Sequence, residues 1–500
     1  MTLLENILLG IQVSFQLDNI LFCFIGVLVG TLVGVLPGIG PVGAMSLLLP
    51  VTYGMSPVGA IIMLGGIYYG AQYGGTITSV LVNIPGEAST IVTCIDGYQM
   101  AKKGRAGPAL GIAAMGSFIG ATIVIAAMMF ISLPLAKIAL RFGPPEYFSL
   151  VCLGIVALTM LSQGSVYKGI LMALLGTLVG TIGMDIFAVT RFTFGITELM
   201  DGIGLVPIIM GLFGVSEILV NIEQPEERRF YIDTVKGIFP SLADWSAAKW
   251  AIFRGTIIGF FLGILPGGGA LISGFASYAI EKRISRYPEK FGTGMIEGVA
   301  GPETANNAAA QASFIPLLSL GIPANVVMAV MFGGLLIHGI QPGPLVVRDH
   351  PDIFWGVIMS MYLGNIMLLI LNLPFIGLWV KVLKVPYQLL FPVILLFCLI
   401  GTYSINNSIF DIYTLVIFGL LGYIMRKTDF EAAPFALAFV LSGLLETNFR
   451  QSLILSDGSL LIFFKRPISL FFIIAVVGFV VFNIYGVNKI RSSEKNSLGK

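Results

Sequence analysis

The chain has 500 residues, of which 56% are hydrophobic and only 11% are charged, and its formal net charge is +2 at pH 7. A soluble globular protein carries about 25% charged residues, so this composition excludes that class. The nearly neutral charge also argues against a nucleic-acid partner. The four cysteines show neither a CxxC nor a Cys/His spacing, so neither a disulfide framework nor a zinc site is supported. The composition predicts an all-α, polytopic membrane protein that lies in a lipid bilayer.

Apolar stretches follow one another along the chain, and several approach the roughly 20 residues that cross a bilayer as a helix. The first set lies near 19–36, 57–84, 108–135, 147–163, 168–185 and 202–222, and the second set lies near 251–280, 304–341, 353–380, 388–402, 411–425, 432–446 and 467–488. Several stretches are too long or too rich in glycine and proline to form one helix each. We therefore expect about 10 to 14 crossings.

A motif near the start of the chain recurs in its second half. The pattern GxxxGxLPGxG occurs at Gly30–Gly40 and again at Gly259–Gly269. An Ile-Pro pair follows each copy, first at Ile84-Pro85 and then at Ile322-Pro323. Two matches in the same order predict an internal duplication, and duplicated halves with interrupted helices are typical of many secondary transporters.

The duplication divides the chain into four parts. We expect a first transmembrane repeat at 1–222, a polar linker at 223–250, a second transmembrane repeat at 251–488 and a basic tail at 489–500. Basic residues occur in loops of both repeats, so the positive-inside rule does not decide whether the repeats are parallel or inverted.

Each copy of the motif is expected to break a membrane helix. Pro37 and Pro266 remove a backbone donor and clash with the preceding turn, and the glycines after them permit conformations closed to other residues. Unpaired backbone groups cost several kcal/mol in hydrocarbon, so such breaks persist only within protein or beside a water-filled cavity. The helix that starts after each break directs free N–H groups at the gap, where an anion such as a carboxylate is stabilised. The candidate anion contacts are Pro37, Gly38, Gly40, Pro266, Gly267 and Gly269.

Hydroxyl and amide side chains gather beside the two Ile-Pro pairs. Their oxygens suit a Na⁺ ion, and their hydrogen bonds suit a carboxylate. The candidate substrate contacts are Thr76, Ser79, Asn83, Asn307, Ser319 and Asn325, and the candidate ion-coupling residues are Thr78, Glu303 and Asn306. The alternative interpretation is ordinary hydrogen bonding between membrane helices, which contributes only about 0.6 kcal/mol on average.

Ionisable residues close to the apolar stretches are few, and each is a functional candidate by default. The acids among them are Glu87, Asp96, Asp185, Glu198, Asp201, Glu217, Glu297 and Glu303. For most of them we expect an interfacial position, with Glu303 placed nearest the core. No GxSxG, HExxH, Walker A or metal-ligand cluster occurs, so we expect no enzyme and no cofactor. Energy for transport then has to come from an ion gradient or from a partner.

Several long segments together resemble the TctA family, the large permease subunit of the tripartite tricarboxylate transporters. They are LPGxG in both halves, YGAQYGGTITSVLVNIPGEAST, RFTFGITELMDGIGLVPIIMGLFGVSEIL, GPETANNAAAQASFIPLLSLGIPAN and NFRQSLILSDGSLLIFFKRPIS. The resemblance covers essentially the whole chain. It implies a multi-pass carrier of the bacterial inner membrane with about 12 spans, which works with a small four-span membrane subunit and a periplasmic solute-binding protein.

The resemblance further implies symport of citrate or other di- and tricarboxylates, driven by Na⁺ or H⁺. Two other functions remain open from the residues. A non-transporting scaffold or assembly subunit would use the breaks for packing alone, and a channel would need a continuous pore lined by one sign of charge. The scarcity of charge in the apolar stretches disfavours the channel.

Overall fold

The computed structural model describes residues 2–36, 40–161, 165–185, 187–223, 235, 237–267, 269–383, 385 and 387–481. Its described part is mainly helical, with one short antiparallel strand pair, Gly183–Met184 and Thr190–Arg191. Within that part, seven helices are long and apolar enough to cross a bilayer, and seven shorter apolar helices accompany them. The prediction of an all-α, polytopic membrane protein is confirmed.

The helices that precede the strand pair are α1 Leu3–Ser14, α2 Leu17–Val35, α3 Gly40–Thr52, α4 Pro57–Val82, α5 Ile91–Lys102, α6 Ala106–Ala139, α7 Pro144–Leu161 and α8 Val166–Val179. The next are α9 Leu205–Ile209, a π-helical segment Met210–Val215, α10 Ser216–Glu223, α11 Leu242–Ile264, α12 Gly269–Ile284, α13 Glu297–Ala312, α14 Phe314–Leu320 and α15 Val326–Ile337. The last are α16 Val346–Asp349, α17 Pro351–Asn372, α18 Ile376–Val382, α19 Tyr387–Asn406, α20 Ile409–Lys427, α21 Ala432–Leu455, α22 Ile462–Lys465 and α23 Pro467–Val481. Three-residue 3₁₀ turns lie at Ala88–Thr90, Thr197–Leu199 and Pro288–Lys290.

The chain forms two compact units. The larger consists of the residues up to Lys137 together with Gly204–Ile424, and the smaller consists of Ile138–Ile203 together with the chain from Met425 onward. Both predicted breaks and both Ile-Pro pairs belong to the larger unit. The predicted boundaries of the repeats, the linker and the tail stay predictions, since residues 224–234 of the linker and 489–500 of the tail lie outside the described residues.

Helices α2 and α4 of the larger unit pack at backbone distance along a stripe of glycines. A β-carbon on any of three glycines of α2 would lie less than 3.0 Å from a carbonyl oxygen of α4. The glycines are Gly26, Gly30 and Gly34, and the carbonyls opposite them belong, in the same order, to Met63, Ile67 and Ala71. Because residue numbers rise together on both helices, α2 and α4 run in the same direction. Small residues permit this close approach.

Helices α11 and α13 repeat this arrangement. Three glycines of α11 again face carbonyl oxygens of α13 at distances that exclude a β-carbon. The glycines are Gly255, Gly259 and Gly263, and the carbonyls opposite them belong, in the same order, to Gly301, Ala305 and Ala309. These two helices therefore also run in the same direction as each other.

The two helix pairs have opposite directions. Thr76 of α4 contacts Glu303 of α13, whereas Gly65, earlier in α4, lies against Phe314, which follows α13. Residue numbers thus rise along α4 while they fall along its neighbour. The pair α2–α4 is therefore inverted relative to the pair α11–α13. The charges of the loops alone do not decide between parallel and inverted repeats.

Both predicted helix breaks are present. Helix α2 ends at Val35 and α3 begins at Gly40, while α11 ends at Ile264 and α12 begins at Gly269. The two glycines adopt positive φ values of 64° and 53°, which residues with a side chain rarely adopt. Because α2 and α4 are parallel, α3 has to return towards the starting side between them. The prediction of discontinuous helices is confirmed.

The loop that follows α4, residues 83–90 and here called loop 1, folds back along that helix. Asn83 ends α4 with a positive φ of 61°. Gly86 then lies against Gly34 of α2 and Gly75 of α4, where a β-carbon has no room. Loop 1 therefore returns to the level of the first break before α5 runs outward again.

A corresponding loop, residues 321–325 and here called loop 2, follows α14. Gly321 ends that helix with a positive φ of 72°. The backbone N–H of Gly267, in the second break, donates to the carbonyl oxygen of Ala324 over 2.8 Å. Loop 2 thus contacts the second break, and loop 1 contacts the end of α2 just before the first break. Because the helix pairs are inverted, the two loops approach from opposite directions.

Candidate functional site

The centre of the site is the carboxylate of Glu303, which is fully buried on α13. The hydroxyl of Thr76 in α4 donates to it over 2.6 Å. The hydroxyl of Thr93 in α5 and the amide of Asn306, one turn further along α13, also donate to it. Elements of both inverted pairs therefore surround one carboxylate with hydrogen-bond donors.

In the part of the chain that the structure describes, no cationic side chain pairs with this carboxylate. Among the described residues, none of the ion pairs that are formed includes Glu303. Burying a carboxylate without a positive partner is strongly unfavourable, and ionisable groups inside a membrane protein mark pathways of ions or substrates. The arrangement can therefore accept a monovalent cation or a proton.

Asn307 lies beside Glu303 and carries an unused acceptor. Its amide nitrogen donates to the hydroxyl of Ser117 over 2.9 Å, to the backbone oxygen of Glu303 over 3.0 Å and to the side-chain oxygen of Asn306 over 2.7 Å. Its side-chain oxygen is buried and has no hydrogen-bond partner among the described residues. Gln311, one turn further along α13, also has a buried side-chain oxygen without a hydrogen-bond partner among the described residues. Helix α13 thus presents a polar stripe of carboxylate and amide groups.

Hydroxyl groups hold loop 1 against α4. Ser79 donates to the hydroxyl of Thr90 over 2.9 Å, and Thr90 donates to the backbone oxygen of Glu87 over 2.9 Å. The hydroxyl of Ser89 contacts both the side chain of Gln72 and the carboxylate of Glu87. The backbone of loop 1 is fixed near the level of Thr76 by these bonds.

The first break is tied to α4 by Thr78. Its hydroxyl donates to the backbone oxygen of Val35, the last residue of α2, over 2.9 Å. Gly40 begins α3 with open space where a β-carbon would lie. Pro37 and Gly38, which the sequence predicts as anion contacts, lie outside the described residues.

Loop 2 is held by Asn325, whose side chain caps α15. Its side-chain oxygen accepts from the N–H of Met328 over 3.0 Å, and its amide nitrogen donates to the hydroxyl of Tyr68 over 3.3 Å. Gly269, at the start of α12, lies against the same asparagine. Ser319 is fully buried just before loop 2, and its hydroxyl has no partner among the described residues.

The structure brings some of the residues predicted from the sequence together and leaves others apart. Those of the Glu303 network are Thr76, Glu303, Asn306 and Asn307, whereas those at the breaks and loops are Gly40, Thr78, Ser79, Asn83, Pro266, Gly267, Gly269, Ser319 and Asn325. Asn83 is exposed and serves as the left-handed end of α4. Whether any of these residues contacts a substrate or an ion stays a prediction.

Several polar residues of the site were not among the predicted contacts. Thr93 reaches Glu303 from α5, Ser117 reaches Asn307 from α6, and Gln72 contacts loop 1. A signal existed for Thr93, since it lies one helical turn after Thr90 and so shares its face. Ser117 lies within the apolar run of α6, and its hydrogen-bond partner comes from a distant part of the chain.

Inverted pairs of broken helices around a buried polar centre define a membrane protein of the kind found among secondary transporters. The chain matches the model of the tripartite tricarboxylate transporter TctA family over residues 20–437, and it belongs to that family. This is a family of transporters and not of enzymes.

The chain is also similar to two proteins of Agrobacterium vitis. It is 50% identical over 470 residues to an uncharacterized 52.8 kDa protein in the TAR-I ttuC' 3'region, with 94% of each chain covered. It is 54% identical over 211 residues to an uncharacterized protein in the TAR-II ttuC' 3'region, which covers 42% of this chain and 87% of that protein. No solved structure matches the chain.

Proposed function

We propose that the protein is a secondary active carrier of organic carboxylates, driven by a gradient of Na⁺ or H⁺. It acts as the large membrane subunit of a binding-protein-dependent system in the inner membrane, with a small four-span subunit and a periplasmic solute-binding protein as partners. Membership of the TctA family supports the transport class.

One observation carries the proposal. The two inverted helix pairs each carry a broken helix and a folded-back loop, and α4, α5 and α13 enclose one buried carboxylate, Glu303, which has no cationic partner among the described residues. Irregular backbone at membrane depth is expected only where it is enclosed by protein or faces a cavity. A scaffold would need neither the breaks nor the unbalanced charge.

The substrate would be held by backbone groups and hydroxyls. The glycines at the breaks, Gly40, Gly267 and Gly269, allow a carboxylate to approach the starts of α3 and α12, where free N–H groups and the helix dipole favour an anion. Glu303 would hold the coupling ion nearby. Binding of the ion would offset the negative charges of both the substrate and Glu303, which makes the two binding events mutually favourable.

The test is uptake into proteoliposomes that contain the chain with its two proposed partners. We expect accumulation of a radiolabelled di- or tricarboxylate when an inward Na⁺ or H⁺ gradient is imposed, and no accumulation without one. Citrate, with its three carboxylates, is the first substrate to try. A chain that shows neither uptake nor carboxylate-dependent thermal stabilisation with any such acid would be a scaffold, because a carrier is stabilised by its ligand through mass action.

A further inference from the structure

Asp96 of α5 is a second fully buried carboxylate, and it belongs to a different site. Its side chain accepts hydrogen bonds from four donor groups. The backbone N–H groups of Gly292, Gly294 and Met295 donate over 2.9, 2.6 and 2.8 Å, and the hydroxyl of Tyr278 donates over 2.9 Å. No ion pair formed among the described residues includes Asp96, so backbone dipoles and one hydroxyl alone stabilise its charge.

The backbone of residues 291–296, here called the amide loop, is shaped to present those N–H groups. Gly292 and Gly294 have positive φ values of 88° and 107°, which turn neighbouring amides towards one point. Successive amides arranged in this way form a concave anion site. A β-carbon on Gly298, just beyond the loop, would lie within 3.0 Å of the Asp96 carboxylate. The carboxylate therefore fills the space beside Gly298.

This contact joins elements that flank the two inverted helix pairs. Asp96 lies on α5, which follows loop 1, whereas Tyr278 lies on α12, which follows the second break. The amide loop leads directly into α13, which carries Glu303. A second bond from the end of α5 reaches the same loop, since Lys103 donates to the backbone oxygen of Thr293 over 2.6 Å.

The contact also fixes the register between α5 and α13. Thr93 precedes Asp96 by one helical turn, so both side chains extend from the same face of α5. Thr93 meets Glu303, and Asp96 meets the loop that precedes α13. A sliding of α5 along α13 would break both contacts together.

We propose that the amide loop is a carboxylate receptor and that Asp96 is its built-in ligand, so that α5, α12 and α13 stay one body during transport. Separation would leave a buried charge and several donors unpaired, which is the most unfavourable outcome for such groups. Asp96 is then a positioning residue for Glu303, and the site residues that these three helices contribute move together.

The first test replaces the built-in ligand by a free one. Asp96→Ala leaves the receptor without its carboxylate, and we expect a melting temperature lower by about 5 °C and amide hydrogen exchange at 292–295 faster by about tenfold in the full chain. Formate should restore both values, whereas chloride at the same concentration should not. The control is Glu289→Ala, an exposed acid before the same loop, which should change neither value and should not respond to formate.

Three results would overturn the proposal. They are an Asp96→Ala chain that matches the wild type in both measurements, one that is destabilised but does not respond to formate, and fast exchange at 292–295 in the wild type. If Asp96→Ala gives no folded protein, Asp96→Asn keeps the size and removes the charge. It should then show exchange faster by about threefold, and unchanged exchange would contradict the proposal.

Amide exchange in the wild type tests separately whether the three helices stay one body. Exchange at 292–295 should stay slow with and without Na⁺ and with and without citrate, and loss of protection in any of these conditions would refute it. Transport by Asp96→Ala should show a raised KM for the coupling ion, which formate lowers again. Only this last readout rests on the proposed function. If the wild type shows no uptake, the proposed function is refuted, but the exchange data still test whether the amide loop binds the carboxylate of Asp96.

Discussion

In the proposed mechanism, Glu303 is the residue on which ion coupling depends most. Replacing its charge by an amide in Glu303→Gln removes a charge-assisted interaction of about 1.5–3 kcal/mol, so the apparent affinity for the coupling ion should fall by about 10- to 100-fold. The measurement is the dependence of carboxylate uptake on Na⁺ concentration and on pH. Glu289→Gln, an exposed acid of the same unit, should leave that dependence unchanged. An unchanged ion dependence in Glu303→Gln would remove this residue from the coupling site.

Asp185 of the smaller unit gives a pH-dependent contribution to stability. The N–H groups of Val189 and Phe187 donate to its carboxylate over 2.9 Å each, and Arg450 pairs with it over 3.2 Å. The N–H of Val189 first of all, together with these neighbours, holds the pKa of Asp185 below its ordinary value. A lowered pKa in the folded state stabilises the protein above the unfolded pKa of about 3.9, and the effect is lost as the pH falls through the folded pKa.

We therefore expect Asp185→Asn to lower the melting temperature at pH 7 and to have a smaller effect towards pH 3. Thermal unfolding of both chains across that range measures the difference. An equal shift at both pH values would mean that the carboxylate contributes through its shape and not through its charge.

The sequence could identify Glu303 but not its surroundings. Glu303 stands between Pro302 and the Asn306-Asn307 pair, and an ionisable residue at such a place was the signal. Thr93 and Asp96 reach their partners about 200 residues away along the chain, and no local pattern encodes such contacts. Asp96 belongs to the acids for most of which we expect an interfacial position, whereas the structure buries it completely.

At the scale of elements, the glycine stripes decide how closely the paired helices pack. Gly30→Ala or Gly259→Ala should destabilise the protein by about 1–3 kcal/mol, because a β-carbon meets the backbone of the neighbouring helix and the helices have to separate. Gly443→Ala in α21 is the matched control. Its β-carbon meets open space, and the change should be neutral or stabilising by up to about 1 kcal/mol.

Thermal unfolding in detergent compares the three variants with the wild type. If Gly30→Ala and Gly259→Ala match the control, the close packing of α2 on α4 and of α11 on α13 is wrong.

The repeated motif predicted both helix breaks to within one or two residues of their positions, because proline and glycine act locally. It could not give the directions of the helices, which follow from contacts between α4 and α13.

At the scale of the whole larger unit, the inversion places several basic segments on one face. Helix α5 ends at this face, α12 also ends there, and α11 begins there, because Arg105 pairs with Asp244 in its first turn. The basic residues of the two helix ends are Lys102, Lys103, Arg105, Lys282, Arg283 and Arg286. The positive-inside rule predicts that this face is cytoplasmic. The loops alone did not decide the orientation, since their common face is visible only once the helix directions are known.

Loop 1 then opens towards the cytoplasm and loop 2 towards the opposite face. Loop 1 lies beside the first break and loop 2 beside the second, so in the proposed mechanism one bound substrate carboxylate should shield them both. The measurement uses single cysteines at Ala88 in loop 1 and Asn325 in loop 2, in a chain whose four native cysteines are replaced by serine. Each is labelled in oriented vesicles with a membrane-impermeant thiol reagent.

We expect Ala88→Cys to be labelled only from the cytoplasmic face and Asn325→Cys only from the other face. We also expect the transported carboxylate, together with its coupling ion, to slow the labelling of both. Labelling of both cysteines from the same face, or labelling that no carboxylate slows, would contradict a single substrate site between two inverted loops.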